Sequence, residues 1–352
     1  MRKYFLLLLL TPFLQSKAAD TTLFKANNPL IQYTGRIDLV DTSAPKFWQP
    51  GAYIRAKFKG SYCNVVIDDE ILYGTSHNYI AIQVDSLPVK RLQTTGKHNV
   101  ITAATGLSDD EHTITICKNT EAGIGYLQFL GLQCKALLPL PAPPSRKIEL
   151  IGNSITCGMG SDLSVVPCGK GLWYDQNNAY MAYGPLTARR LNAQWQLSSV
   201  SGIGLIHSCC DMKITMPQVF DKVNMREDSI KWDFSRYQPD VVTVCLGQND
   251  GKQDSVAFCG AYVQFIGTLR KHYPSAAIIC LTSPMADAEL TKVLQRYLVG
   301  IVNAVNNKGD RNVYRYFFSK RYHNGCGDHP DLAEHQQIAD ELTTCIKRIK
   351  KW

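Results

Sequence analysis

Five short apolar runs in the second half of the chain, KIELIG (147–152), QWQLSSV (194–200), VVTVCLG (241–247), AAIICLT (276–282) and VYRYFFS (313–319), alternate with four stretches long enough for helices, at 179–191, 255–272, 288–306 and 331–349. In the third of these, Leu290, Val293, Leu294, Tyr297 and Leu298 share one helical face. Strands alternating with helices of that length imply right-handed crossovers and a parallel sheet covered on both sides, an α/β domain of three layers. Ligands of such sheets sit beyond the carboxyl ends of the strands. The residues that follow each apolar run are therefore the ones in which to look for chemistry.

The first half reads differently, and PLPAPPSRK, residues 139–147, marks the boundary. Its four prolines suit neither a helix nor a central strand and favour an extended spacer. Before it, AYIRAKFKG, CNVVIDD, NYIAIQVDS, HTITICKNT and GYLQFLGLQCK are β-rich and bounded by Gly, Asp and Asn. Ile80, Ile82 and Val84 alternate with a period of two, as do Ile114 and Ile116. The expected architecture is an antiparallel β-sandwich of the jelly-roll kind over 19–138, a spacer over 139–147, and the α/β domain over 148–352.

MRKYFLLLLLTPFLQSKA has Arg2 and Lys3 before a short apolar run and Ser16-Lys17-Ala18 after it, the pattern of a secretory leader cleaved after Ala18. The run is too short to span a membrane, and no later segment is apolar for the roughly 20 residues a span needs. A soluble, exported monomer, secreted or periplasmic, is expected. All 12 cysteines lie beyond the leader, so disulfides are permitted, although Cys245 and Cys280 sit inside apolar runs and read as buried thiols. The net charge of +8 falls to +5 once Arg2, Lys3 and Lys17 depart with the leader. The basic tail of Lys347, Arg348, Lys350 and Lys351 suits a helix C-terminus, and no broad basic face with interleaved aromatics marks a nucleic-acid partner.

The loop after the first run, Gly152-Asn153-Ser154, is ordinary turn chemistry or the seat of a nucleophile. It is not a G-x-S-x-G elbow, since Thr156 stands where the second glycine belongs, nor a phosphate loop, which ends in Gly-Lys-Ser/Thr. The remaining loops decide. Ser198-Ser199-Val200-Ser201-Gly202 follows the second run, Leu246-Gly247-Gln248-Asn249-Asp250 the third, and Asp328-His329-Pro330 the fifth.

Gly152-Asn153-Ser154, Gly202, Gly247-Gln248-Asn249-Asp250 and His329-Pro330, in that order, resemble the blocks of the SGNH (GDSL-like) hydrolases, whose α/β domain is flavodoxin-like. The first half narrows the likeness: YTGRID, FWQPG, the FKG of AKFKG, NYIAIQVDS and the KNTE of ICKNTE are similar to the sandwich domain of carbohydrate esterase family 2. That resemblance implies a secreted acetyl esterase acting on acetylated polysaccharides such as xylan and glucomannan, with no cofactor. It implies Ser154 as nucleophile and His329 as its base, with the backbone N–H groups of Ser154 and Gly202 and the Asn249 side-chain amide as oxyanion donors. One departure stands out: many SGNH enzymes orient the histidine with an aspartate three positions earlier, and Cys326 occupies that place here. A Ser-His dyad with a backbone carbonyl on the ring is expected, with Asp328 as the weaker candidate orienter; Asp331 follows it closely.

His207-Ser208-Cys209-Cys210-Asp211 could suggest a metal, but structural zinc sites space their cysteines by two to four residues, and a local disulfide or a shaped loop fits better. Trp173, Tyr174, Tyr180 and Tyr183 could border the cleft and stack on sugar rings, or merely pack a helix on the sheet. Asp250 reads as a structural carboxylate. The competing functions are a glycan-binding protein with an inactive hydrolase-like domain, and an esterase or acetyltransferase for another acylated glycan or a lipid.

Overall fold

The computed structural model describes residues 22–227 and 230–352; the expected leader, 1–18, lies outside the described residues. The first half is an antiparallel sheet of ten strands curled around one core. Its central strand, Tyr53–Asp69, pairs through its first half with Glu111–Lys118 and through its second with His98–Ala104. The sequence suggested a turn between AYIRAKFKG and CNVVIDD. Gly60 and Ser61 instead lie within one continuous strand, at the point where it changes partners.

After Leu127–Leu138 ends this sheet, the proline-rich spacer leads to Arg146–Gly152, the first of five parallel strands. The others are Ala193–Ser199, Val241–Cys245, Ala277–Leu281 and Val313–Tyr316. With strands numbered by sequence, the sheet order is second, first, third, fourth, fifth. The chain thus reverses direction across the sheet beside the first strand, which puts a crevice at that strand's carboxyl end. Helices Ser255–His272 and Ala288–Asn307 cover one face; Tyr183–Arg190 and Leu332–Lys350 cover the other. Leu290, Leu294, Tyr297 and Leu298 are all buried, as their spacing predicts.

The two halves share a dense seam. Arg36, fully buried, pairs with buried Glu149 on the first parallel strand at 3.0 Å and also donates to the carbonyls of Phe220 and Lys222. Removing one partner of such a pair strands a buried charge, at a cost of about 3–5 kcal/mol. Tyr53 stacks on Trp195 with ring centroids 4.0 Å apart, and Trp195 Nε1 donates to the Gly51 carbonyl. This seam fixes the antiparallel domain against the loops that carry the site.

Candidate active site

The first parallel strand ends at Gly152 because the chain must turn at once: a Cβ there would meet Thr156 Oγ1 at 2.0 Å. Asn153 caps the single helical turn Ser154–Cys157, its side chain accepting the Ile155 N–H. Ser154 is therefore the first residue of that turn. It is 6% exposed, and its Oγ lies 2.8 Å from His329 Nε2. The two residues are 175 positions apart in sequence.

His329 Nδ1 lies 3.1 Å from the Cys326 carbonyl and 3.0 Å from that of Gly327. If those carbonyls accept the Nδ1 proton, Nε2 is left free to accept one from Ser154. Burial pushes the His329 pKa below its ordinary value of 6.5, against the opposing effects of the two carbonyls, Glu121 and Asp328. The imidazole is thus held in the neutral form a general base requires.

Gly202 stands in the left-handed region, at φ +82°, where a side chain would be strained; an added Cβ would also meet Cys209 Sγ at 3.1 Å. Asn249 donates one amide N–H to the Ile203 carbonyl at 2.8 Å, which leaves its second N–H for a ligand. Asp250 accepts the backbone N–H groups of Leu205, Ile206 and His207, and so shapes the loop that follows Gly202. Ser154, Gly202, Asn249 and His329 line one cleft of about 630 Å³, together with Trp173 and Arg226.

Two sequence expectations are corrected. Asp328 does not meet the His329 ring: it adopts a left-handed conformation, φ 59°, and its carboxylate faces Arg321 at 3.5 Å. Asp331 caps the last helix instead. Of the four aromatics, only Trp173, 49% exposed, reaches the cleft. Tyr174 is buried against Tyr79 and Ile124 and accepts the His77 N–H; Tyr180 donates to Gln83; Tyr183 is buried with its hydroxyl 2.8 Å from Thr156 Oγ1. The segment that carries Tyr174 and Tyr180 turns toward the antiparallel domain, so its buried rings fill the seam.

The structure also brings in residues to which the sequence reading gave no role. Glu121, at the end of KNTE in the antiparallel domain, accepts both the N–H, at 2.8 Å, and the hydroxyl of Ser201, next to Gly202. Arg226 and Gln248 line the cleft, as do Met159, Met212 and Met285. Cys209 and Cys210 are bonded to each other at its wall, the local disulfide that the sequence suggested, whereas the bond of Cys168 to Cys326 had no sequence signal. A position beside a motif glycine was the one sequence signal for Ser201, and nothing local linked it to Glu121, 80 residues earlier.

Comparison with known proteins gives this geometry a family. Residues 33–144 match the carbohydrate esterase 2 N-terminal domain and residues 150–315 the GDSL-like lipase/acylhydrolase family. The cellulase/esterase CelE of Acetivibrio thermocellus is 33% identical over 95% of this chain, which spans 41% of that protein's length. An acetylxylan esterase/glucomannan deacetylase of Cellvibrio japonicus is 27% identical, with 96% of this chain and 94% of that protein aligned. The structure of a family two carbohydrate esterase from Clostridium thermocellum in complex with cellohexaose superposes with a TM-score of 0.84 at 32% identity, covering 92% of this chain and 99% of that one. The chain belongs to carbohydrate esterase family 2 and is a carboxylic ester hydrolase.

Proposed function

We propose that the protein is a secreted serine esterase that removes O-acetyl groups from plant polysaccharides of the xylan and glucomannan type, through an acetyl-enzyme. The observation that carries this reading is the 2.8 Å approach of His329 Nε2 to Ser154 Oγ in a cleft that also holds Gly202 and Asn249. His329 takes the Ser154 proton as Oγ attacks the acetyl carbonyl carbon. The oxygen that becomes negative is met by the N–H groups of Ser154 and Gly202 and by the free amide N–H of Asn249. Collapse breaks the ester bond, and His329 returns its proton to the departing sugar oxygen. Water, deprotonated by His329, then cleaves acetyl-Ser154 to acetate and restores the enzyme. The ring is oriented by backbone carbonyls, so the catalytic unit is a dyad.

A sugar as the leaving group is supported by Trp173 at the cleft, since an exposed indole suits the apolar face of a pyranose. The activities named for the Cellvibrio relative, and the cellohexaose bound by the Clostridium structure, point to a β-linked plant polymer. Two disulfides support export to an oxidising compartment. The test is acetate release from acetylated xylan, glucomannan and pectin by wild type and Ser154→Ala. Release by wild type and loss in the variant is expected. Equal rates, or two inert proteins that still bind polymer, would remove hydrolysis at Ser154.

A further inference from the structure

We propose that the Cys168–Cys326 disulfide is the positioning element of His329, fixing by a covalent tie the turn whose two carbonyls, those of Cys326 and Gly327, do the work of a triad carboxylate. The proposal rests on the Ser154–His329 reading above. Cys326 stands three residues before His329, and its carbonyl lies 3.1 Å from Nδ1. A neutral carbonyl attracts an imidazolium less than a carboxylate does, so ring alignment depends on how firmly that carbonyl is held.

The only covalent tie of this turn to a distant part of the chain is the disulfide. The turn Cys326–Asp328 is short, with none of its residues buried, and it passes through two left-handed residues, Gly327 and Asp328. Besides the disulfide it is held by Cys326 N–H donating to the Gly160 carbonyl at 2.8 Å, Gly325 N–H donating to the His329 carbonyl, His329 N–H donating to the Cys326 carbonyl at 3.2 Å, and Arg321 at 3.5 Å from the Asp328 carboxylate. Cys168 sits in an exposed loop that is braced at its two ends. Asp162 accepts from Asn178 Nδ2 at 2.8 Å and lies 3.7 Å from Arg91, and Gln176 donates to the carbonyls of Pro167 and Lys170. That same loop carries Trp173 to the cleft. The disulfide therefore ties the wall that faces the sugar to the turn that aims the base, across 158 residues of sequence.

Cys168→Ser removes the tie and leaves the Cys326 carbonyl in place. With 4-nitrophenyl acetate, which hardly needs Trp173, kcat should fall about tenfold or more while KM changes by less than about threefold. The acid limb of the kcat profile should move to lower pH, because the carbonyl contacts support the imidazolium; the other groups that act on the ring, the charges of Glu121 and Asp328 and the buried His335, are unchanged. Restoring an aspartate three positions before the histidine, in Cys168→Ser/Cys326→Asp, should recover part of kcat, a rescue that general loosening of the fold would not permit. Should Cys168→Ser fail to fold, dithiothreitol treatment of folded wild type reads the same quantity, provided that kcat is followed against separate titrations of the Cys168 thiol and of the Cys209 and Cys210 thiols, whose disulfide is also reducible. Wild-type kcat and pH profile after loss of the disulfide, by either route, overturn the proposal. Failure of the dyad itself is recognised separately, by Ser154→Ala turning over as fast as wild type.

Discussion

Glu121 tests whether the antiparallel domain takes part in catalysis or only stands beside it. Its buried carboxylate accepts the N–H and the hydroxyl of Ser201, one residue before Gly202. Glu121→Ala leaves the Ser201 N–H without that acceptor, a penalty of about 1–3 kcal/mol for a buried donor. A loop that relaxes to hydrate this N–H draws Gly202 away from the oxyanion position, so the penalty is also the free energy disfavouring the competent loop. With RT of about 0.6 kcal/mol, the competent population and kcat should fall roughly 5- to 150-fold. Glu121→Gln keeps an oxygen for the Ser201 N–H, and its amide can donate to the hydroxyl, so kcat should stay within about threefold. Its pH profile should still shift: the Glu121 charge raises the His329 pKa, so neutralising it moves the acid limb to lower pH. Initial rates with 4-nitrophenyl acetate across the pH range, beside thermal melts, check all three. A folded Glu121→Ala variant with kcat within twofold of wild type would refute the coupling.

Three further outcomes follow from the same geometry. Asn249→Ala removes one oxyanion donor and should lower kcat about 10²–10³-fold in a chain that still folds, with a melting temperature lowered only by the loss of the hydrogen bond to the Ile203 carbonyl; near-normal turnover would take Asn249 out of the site. Since burial lowers the His329 pKa, the acid limb of kcat/KM should lie below pH 6.5, and a limb above that value would mean that the ring is stabilised as imidazolium. His335 is fully buried, its Nδ1 accepting the Tyr183 N–H, and its pKa is pushed down to about 3 from 6.5. The unfolded chain therefore binds a proton first on acidification: stability is unaffected above pH 6.5 and falls by about 1.4 kcal/mol per unit between pH 6.5 and about 3, a component of the slope that denaturant unfolding of His335→Gln should lack.

The catalytic pair was legible in the sequence because each member follows an apolar run, and a parallel sheet delivers the carboxyl ends of its strands to one edge. Asp250 was legible for a related reason, as a carboxylate in a strand-end loop, which it shapes by accepting three backbone N–H groups. The orienter of His329 was visible only as an absence, Cys326 in place of an aspartate, since a backbone carbonyl has no residue type to betray it. Tyr174 and Tyr180 misled because spacing does not tell which neighbour a segment turns toward, and here a second domain competes with the cleft for their rings. Glu121 and Cys168 were silent because their partners lie 80 and 158 residues away. Those two share a physical role. The sheet brings Ser154, Gly202, Asn249 and His329 within reach of each other, but the loops it presents are short and partly exposed, and reach alone does not fix angles. The final alignment of the Gly202 loop falls to a carboxylate from the antiparallel domain, and that of His329 to a disulfide. If the Glu121 variants answer their test as expected, the antiparallel domain belongs to the catalytic apparatus: a chain reduced to its α/β half would keep Ser154, Gly202, Asn249 and His329 and lose the acceptor that holds Ser201.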